Sequence, residues 1–378
     1  MTLLVVVGLY LLLCLLSLRK FNKLLNPFIL ESYFVFLLIA FPQTLRILLL
    51  PGESSYIYSD LAIFLYFVFV YLGTSVNIRA IRMPEIRYVS IVNGSNWMLF
   101  ALFVSPIIPI FLSFEFSIAG IRNFYESVVF SPYASFFELA KFFLYVCLIY
   151  RMVQLNRVSW SVWIWIPFFF LFGSKFVVFD FFMLLLLFKE YYHNLSLTKF
   201  VVYATAIAGV LIIYRYLQTP GAGENIWYNA LAYFDQYKNQ SLAIERLRSG
   251  EAEFYHGRIY FSSYLKYIPR IIWENKPRDF GFAIMNWDFM PKEAEQGYMP
   301  AFGLGGMFAD FGYWSVAVIA FFSGLLKRYL FNIFVKTRSN LSFFLFALPL
   351  NFLSLMVLAT NLFIDRAIST WGRRQTTD

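Results

Sequence analysis

The sequence predicts an all-α polytopic membrane protein with about ten transmembrane helices and one large outer loop containing amphipathic helices. Three observations carry this. Residues are 60% hydrophobic and 14% charged, whereas soluble domains carry about a quarter charged residues. The 47 Phe and 26 Tyr give more apolar surface than a chain of 378 residues could hide from water; a bilayer removes that demand, because lipid is the solvent. Apolar runs near the roughly 20 residues of a membrane span recur, separated by short charged clusters.

In chain order the spans are Thr2–Leu18, Pro27–Leu48, Asp60–Val76, Tyr88–Phe111, Pro132–Tyr150, Val158–Gly173, Phe176–Phe188, Phe200–Leu217, Pro300–Leu325 and Leu341–Ile364. No basic residue precedes the first run, and Arg19 and Lys20 follow it, so it reads as a retained span and not a cleavable leader. Val158–Phe188 could be one long helix with Lys175 inside it. Two short spans with Lys175 at their outer turn fit the charge distribution better. Pro220, Gly221 and Gly223 close the eighth span. The chain thus divides into 1–218 with eight spans, the loop 219–300, and 301–378 with two spans and a tail.

Lys and Arg give the orientation. One set of loops holds Arg19, Lys20 and Lys23; Arg79, Arg82 and Arg87; Arg151 and Arg157; Lys189 and Lys199; and Lys327, Arg328, Lys336 and Arg338, against only Glu85 and Glu190. These loops are expected in the cytoplasm. The loop 219–300 carries nine basic and ten acidic residues and falls on the opposite side. The scheme puts the basic tail Arg366, Arg373 and Arg374 outside, against the same rule, because Leu341–Ile364 suffices for one crossing only. The net charge of +9 is arranged as topology signals, so no nucleic-acid partner is expected. Cys14 and Cys147 sit in apolar runs, which suggests neither a disulfide framework nor a metal site, and no cofactor is expected.

Within the large loop, Tyr228, Tyr233, Phe234, Tyr237, Leu242, Ile244 and Leu247 have a spacing that suits amphipathic helices at the membrane surface. The outer side also gathers cations: Arg122 after the fourth span, Lys175 in Gly173-Ser174-Lys175, Arg215 near the end of the eighth span, and Arg258, Arg270, Lys276 and Arg278 in the loop. A charge inside a span costs about 2.5–3.5 kcal/mol on insertion scales. Arg215 and Lys175 can reach headgroups by snorkelling. Several cations converging on one pocket would instead bind an anion, and phosphate matches the Arg fork. The glycine-rich string Met299–Gly306 either lets backbone amides approach such an anion or permits close helix packing.

These strings resemble a known family, the O-antigen polymerases (Wzy-type polysaccharide repeat-unit polymerases). The resemblance lies in the hydropathy of nearly the whole chain and in Ile268-Pro269-Arg270, Lys276-Pro277, the ten-residue spacing from Arg270 to Gly281, and Pro300 through Gly312. A Gly-Ser-Arg turn frequent in the family is Gly173-Ser174-Lys175 here, so the bidentate fork would be lost at that point. The resemblance implies a GT-C-like helical core and a metal-independent membrane glycosyltransferase with its large loop in the periplasm. The implied donor and acceptor are undecaprenyl-pyrophosphate-linked oligosaccharide repeat units, with membrane lipid as surroundings and a chain-length regulator protein as a further partner.

The residues fit that chemistry. Pyrophosphate is a good leaving group, and positive charge where it becomes more anionic is what helps most. There is no Asp-x-Asp pair of the kind that holds a sugar-nucleotide metal. His256, two residues before Arg258, is the candidate base for the acceptor hydroxyl, with Glu251, Glu253, Glu274 and Asp288 as alternatives. The catalytic pair is thus His256 and Arg270, and the substrate cations are Arg122, Lys175, Arg215, Arg258, Lys276 and Arg278. His193, in a cytoplasmic loop, reads as structural. An O-antigen ligase would use the same donor with a lipid A core acceptor. A transporter of lipid-linked oligosaccharides would place charges at mid-depth in several spans, and a scaffold would leave the outer cations without a target.

Overall fold

Local sequence sets the helix ends. Asn26 accepts from the Phe28 and Ile29 amides at 3.0 and 3.2 Å. Pro27 takes the first helical position, where no amide is needed. The same helix widens into a π turn at Phe36–Ala40, just before Pro42, which has no N–H to continue the regular ladder. The structure, a computed structural model, describes residues 3–50, 52–81, 85–109, 134–165, 175–203, 205–206, 209, 231, 234–265, 273, 275, 277, 280–295, 300–348 and 352–374. Within these, only the backbone is described at 134–135, 175–178, 263–264, 352–354 and 371–374.

The helices are α1 (Leu3–Phe21), α2 (Pro27–Leu49), α3 (Ile57–Ser75), α4 (Val89–Ile107), α5 (Ala134–Leu155), α6 (Trp160–Trp163) and α7 (Lys175–His193). After the expected start of the large loop come α8 (Gln236–Ser249), α9 (Arg258–Leu265), α10 (Phe282–Phe289), α11 (Pro291–Glu295) and α12 (Gly305–Phe311). The chain continues through α13 (Tyr313–Thr337), α14 (Asn340–Ala347) and α15 (Phe352–Arg374). No strand occurs among the described residues. α1, α2, α3, α4 and α13 are each long and apolar enough to cross a membrane. The chain is an all-α polytopic membrane protein, as the sequence predicts.

Two expected spans have different ends. The ninth was read as Pro300–Leu325, but the long helix begins at Tyr313 and runs to Thr337. Gly312, at φ +67°, separates it from the short helix α12, a backbone that favours glycine. Lys327, Arg328 and Lys336 therefore lie on α13 and not in a loop after it. The tenth, read as Leu341–Ile364, is broken: α14 ends at Ala347, Leu348 is extended, and α15 starts at Phe352. Leu348 precedes Pro349, which pushes the residue before it out of the helical region. Of the sixth span only α6 is described before position 166, and of the eighth mainly positions 200–203.

The chain forms two compact units. The first comprises Met1–Arg79 and Gly221–Phe331. Its core contains Tyr10, Phe28, Phe67, Tyr237, Ile244, Phe302 and Phe308. Close backbone contact joins α3 to α13: a Cβ on Gly73 would lie 2.1 Å from the Phe321 carbonyl oxygen, and one on Gly324 2.5 Å from that of Val70. α8 was expected on the membrane surface. Instead its apolar face, with Tyr237, Ala243, Ile244 and Leu247 buried, packs on α3, on the π turn of α2 and on α12. Polar bonds draw it there. Arg46, only 3% exposed at the end of α2, donates to the Leu231 carbonyl at 2.6 Å and to Asp235 at 2.9 Å. Tyr237 donates to Asp60 at 2.7 Å and accepts from the Tyr56 amide at 2.7 Å.

The second unit comprises Ala80–Pro220 and Asn332–Asp378. α4 and α5 pack along each other, with α14 and α15 against α5. Phe343 of α14 meets the rings of Phe188, Tyr192 and Phe334. Asn96 and Asn361 exchange amide hydrogen bonds at 2.7 and 3.1 Å, and Tyr150 donates to Asn361 at 3.1 Å.

Candidate functional site

In the first unit, a turn just before α9 carries two of the sequence-predicted site residues. Its tightness comes from His256 at φ +50° and Gly257 at φ +90°. A histidine in the left-handed region is uncommon and needs support from its surroundings. The support comes from the end of α12. The Tyr255 amide donates to the Ala309 carbonyl at 2.9 Å, and the His256 amide to the Asp310 carbonyl at 3.2 Å. The Asp310 carboxylate then accepts from the Ile259 amide at 2.9 Å and from the Tyr260 amide at 2.7 Å. Asp310 is 1% exposed. It caps the first turn of α9, where a negative charge also suits the helix dipole.

The turn leaves His256 and Arg258 exposed, two residues apart. The His256 ring lies 6.0 Å from that of Phe311. Beside them, Tyr255 donates to Asp288 at 2.6 Å. Burial, and next the Asp288 carboxylate, push the Tyr255 phenol well above its ordinary value, so it remains a donor at neutral pH. Asp288, an alternative base in the sequence reading, is thus engaged by Tyr255. Glu251 and Glu253 are exposed.

Position matters as much as chemistry. Asp310 lies three residues before Tyr313, where the 25-residue helix α13 begins. Trp314, 79% exposed, and the exposed Phe311 mark that end of the helix. Aromatic side chains of this kind concentrate where a span meets the headgroup layer. The turn is thereby fastened to the chain just where a membrane span begins.

Gly281 and the glycine-rich string acquire structural roles. Gly281, at φ +56°, precedes α10, and its amide donates to the Ser262 hydroxyl at 2.9 Å. A Cβ on Gly306 would come within 1.9 Å of the Phe282 ring, and one on Gly303 within 2.6 Å of Ile39. The Leu304 amide is taken by Gln240 at 3.0 Å. Close packing, one of the two readings of this string, accounts for these glycines.

Lys175 is the first residue of α7, in the second unit, with only its backbone described. Arg122, Arg215, Arg270, Lys276 and Arg278 lie outside the described residues, as does Glu274. His193 closes α7 with its ring 5.4 Å from Phe188. Among the described residues no cluster of His, Cys, Asp or Glu could hold a metal ion.

Two residues escaped the sequence reading. Asp310 stood within Pro300 through Gly312 without a role; a lone acid in an apolar stretch, two residues before a glycine, was the available signal. Arg46 lay inside the second span, where the cost of a charge in a span should have singled it out.

No protein-family model matches the chain, and no solved structure matches it. The chain is 31% identical over 184 residues to a curated O-antigen polymerase of Salmonella typhimurium (strain LT2), and equally to one of Salmonella typhi. Each match covers 47% of this chain and 44% of the relative, so the chain spans less than half the length of the curated relatives it matches. The resemblance drawn from motifs thus has a counterpart in measured identity: over that stretch the chain is similar to two O-antigen polymerases.

Proposed function

We propose that this protein is an O-antigen polymerase of the bacterial inner membrane, with the loop 219–300 in the periplasm. It transfers the growing glycan from undecaprenyl pyrophosphate onto a new lipid-linked repeat unit. The observation that carries the reading is the clamped turn: the backbone around His256 and Arg258 is bound to Ala309 and Asp310, four and three residues before the start of α13. A lipid-linked pyrophosphate presents its charge at that depth, because its tail must stay in the bilayer.

In this reaction the acceptor hydroxyl oxygen bonds to the anomeric carbon of the growing glycan, and the bond from that carbon to the pyrophosphate oxygen breaks. His256 accepts the hydroxyl proton. Arg270 and Arg258 meet the negative charge that builds on the departing pyrophosphate, with Arg122, Lys175, Arg215, Lys276 and Arg278 as further contacts. Arginine and lysine supply this charge without a metal ion. A chain-length regulator protein is the expected protein partner. The likeness to two O-antigen polymerases supports the reading.

The test is lipopolysaccharide from a deletion strain, resolved on a gel. Loss of a polymerase leaves core lipopolysaccharide capped by a single repeat unit, because ligation continues. Loss of all surface O-antigen, with lipid-linked polymer accumulating, would instead identify a ligase and overturn the proposal.

A further inference from the structure

α13 leaves its last turn and enters α14 within two residues. Arg338 takes a left-handed backbone at φ +51°, and Ser339 caps α14 by accepting from the Ser342 amide at 3.2 Å. At this turn Lys336 donates to the Ala80 carbonyl at 3.0 Å. Far along α15, Asp365 accepts from the Arg87 and Tyr88 amides, both at 2.9 Å, and so caps the start of α4. Lys336 and Asp365 therefore grip the same loop between α3 and α4, seven residues apart.

That loop cannot connect two faces of a bilayer. Seven residues reach at most about 25 Å when fully extended, and the hydrocarbon core is about 30 Å thick. The loop also carries Arg79, Arg82, Glu85 and Arg87, which keep it among headgroups. Its two grips thus lie on one face, and the chain between them must go in and come back.

The intervening segment has the build of such an excursion. α14 has eight residues, about 12 Å, well short of a crossing. Leu341 through Phe346 are all buried, so α14 has no free polar side of the kind an interfacial helix shows. Irregular backbone at membrane depth is tolerated where protein surrounds it, and the extended Leu348 is itself buried. From Phe352 to Asp365 the return limb is about 20 Å long, with the Asn96–Asn361 pair one turn inside the Asp365 cap.

We infer that residues 339–348 and 352–365 are the two limbs of a re-entrant hairpin whose ends share the membrane face of the loop 76–88, which places the basic end of α15 on that face. Arg366, Arg373 and Arg374 then join Arg79, Arg82, Arg87 and Lys336 on one side, and the conflict between the tail and the charge rule disappears. This inference stands independently of the reaction proposed above.

The test uses the full chain with Cys14 and Cys147 replaced by alanine and one new cysteine at a time: Ile81→Cys in the loop or Gln375→Cys in the tail. Each is exposed to a membrane-impermeant maleimide in intact spheroplasts and again after the membrane is opened. The hairpin predicts that both positions behave alike, reacting only after opening if the loop is cytoplasmic. Reaction of Gln375→Cys from the side opposite to Ile81→Cys would overturn it. A reporter fused to the end of the otherwise unaltered chain gives the same comparison should the cysteine variants fail to fold.

Discussion

The two units hold their non-spanning backbone in different ways. In the first, helices from the large loop are drawn onto the spans by charged and polar side chains: Arg46 to Asp235, Tyr237 to Asp60, and Asp310 to two amides of α9. In the second, α14 is enclosed by aromatic rings, and the polar contribution between α4, α5 and α15 is a small amide cluster. With the large loop outside the bilayer and α14 within it, as proposed, the difference follows from the solvent each segment leaves. A segment outside the bilayer gives up bonds to water and needs specific partners. A segment within it gains little from apolar contact alone, so shape and a few hydrogen bonds decide its place.

That comparison can be broken by two substitutions. Asp310→Ala removes the acceptor of two amides, one of them on the buried Ile259. A hydrogen bond to a charged group contributes about 1.5–3 kcal/mol, so the expected loss is about 3 kcal/mol. It should be read as a lower unfolding midpoint in detergent, with faster amide exchange confined to the peptide spanning 255–262. Asn361→Ala should cost about 1 kcal/mol, because hydrogen bonds between membrane helices average about 0.6 kcal/mol and reach about 1.7. Equal losses at both sites, or the reverse order, would show that the two units are not held differently.

Much of the fold was legible in the sequence, because a span must be long and apolar, and α1 to α4 begin within three residues of the expected starts. What failed were the places where hydropathy is blind to conformation. The run from Pro300 to Leu325 is apolar apart from Asp310, yet Gly312 divides it, and only its positive φ reveals the break. The run from Leu341 to Ile364 has one proline as its only sign of two helices. At the site, His256 and Arg258 were legible as an outer histidine with a nearby cation. Their clamp was not, since Asp310 is separated from them by some fifty residues and its role depends on accepting backbone amides. The role of α8 was misjudged for a related reason: an amphipathic face fits lipid or protein equally well, and Arg46 was the residue that decided between them.

Polymer formation in membranes supplied with lipid-linked repeat units, with each variant's expression verified by immunoblot, decides whether Arg270 contacts the pyrophosphate. An arginine that meets charge mainly in the transition state contributes about 2.7–4 kcal/mol, roughly a hundred- to a thousandfold in rate. Arg270→Ala should lose nearly all activity. Arg270→Lys should lose much of it despite keeping the charge, because lysine makes a point contact where arginine makes a fork. If Arg270 only pairs with Glu274 on the surface, removing it would cost about 0–1 kcal/mol of stability and little rate. A well-expressed Arg270→Ala that polymerises at near the wild-type rate would contradict the account.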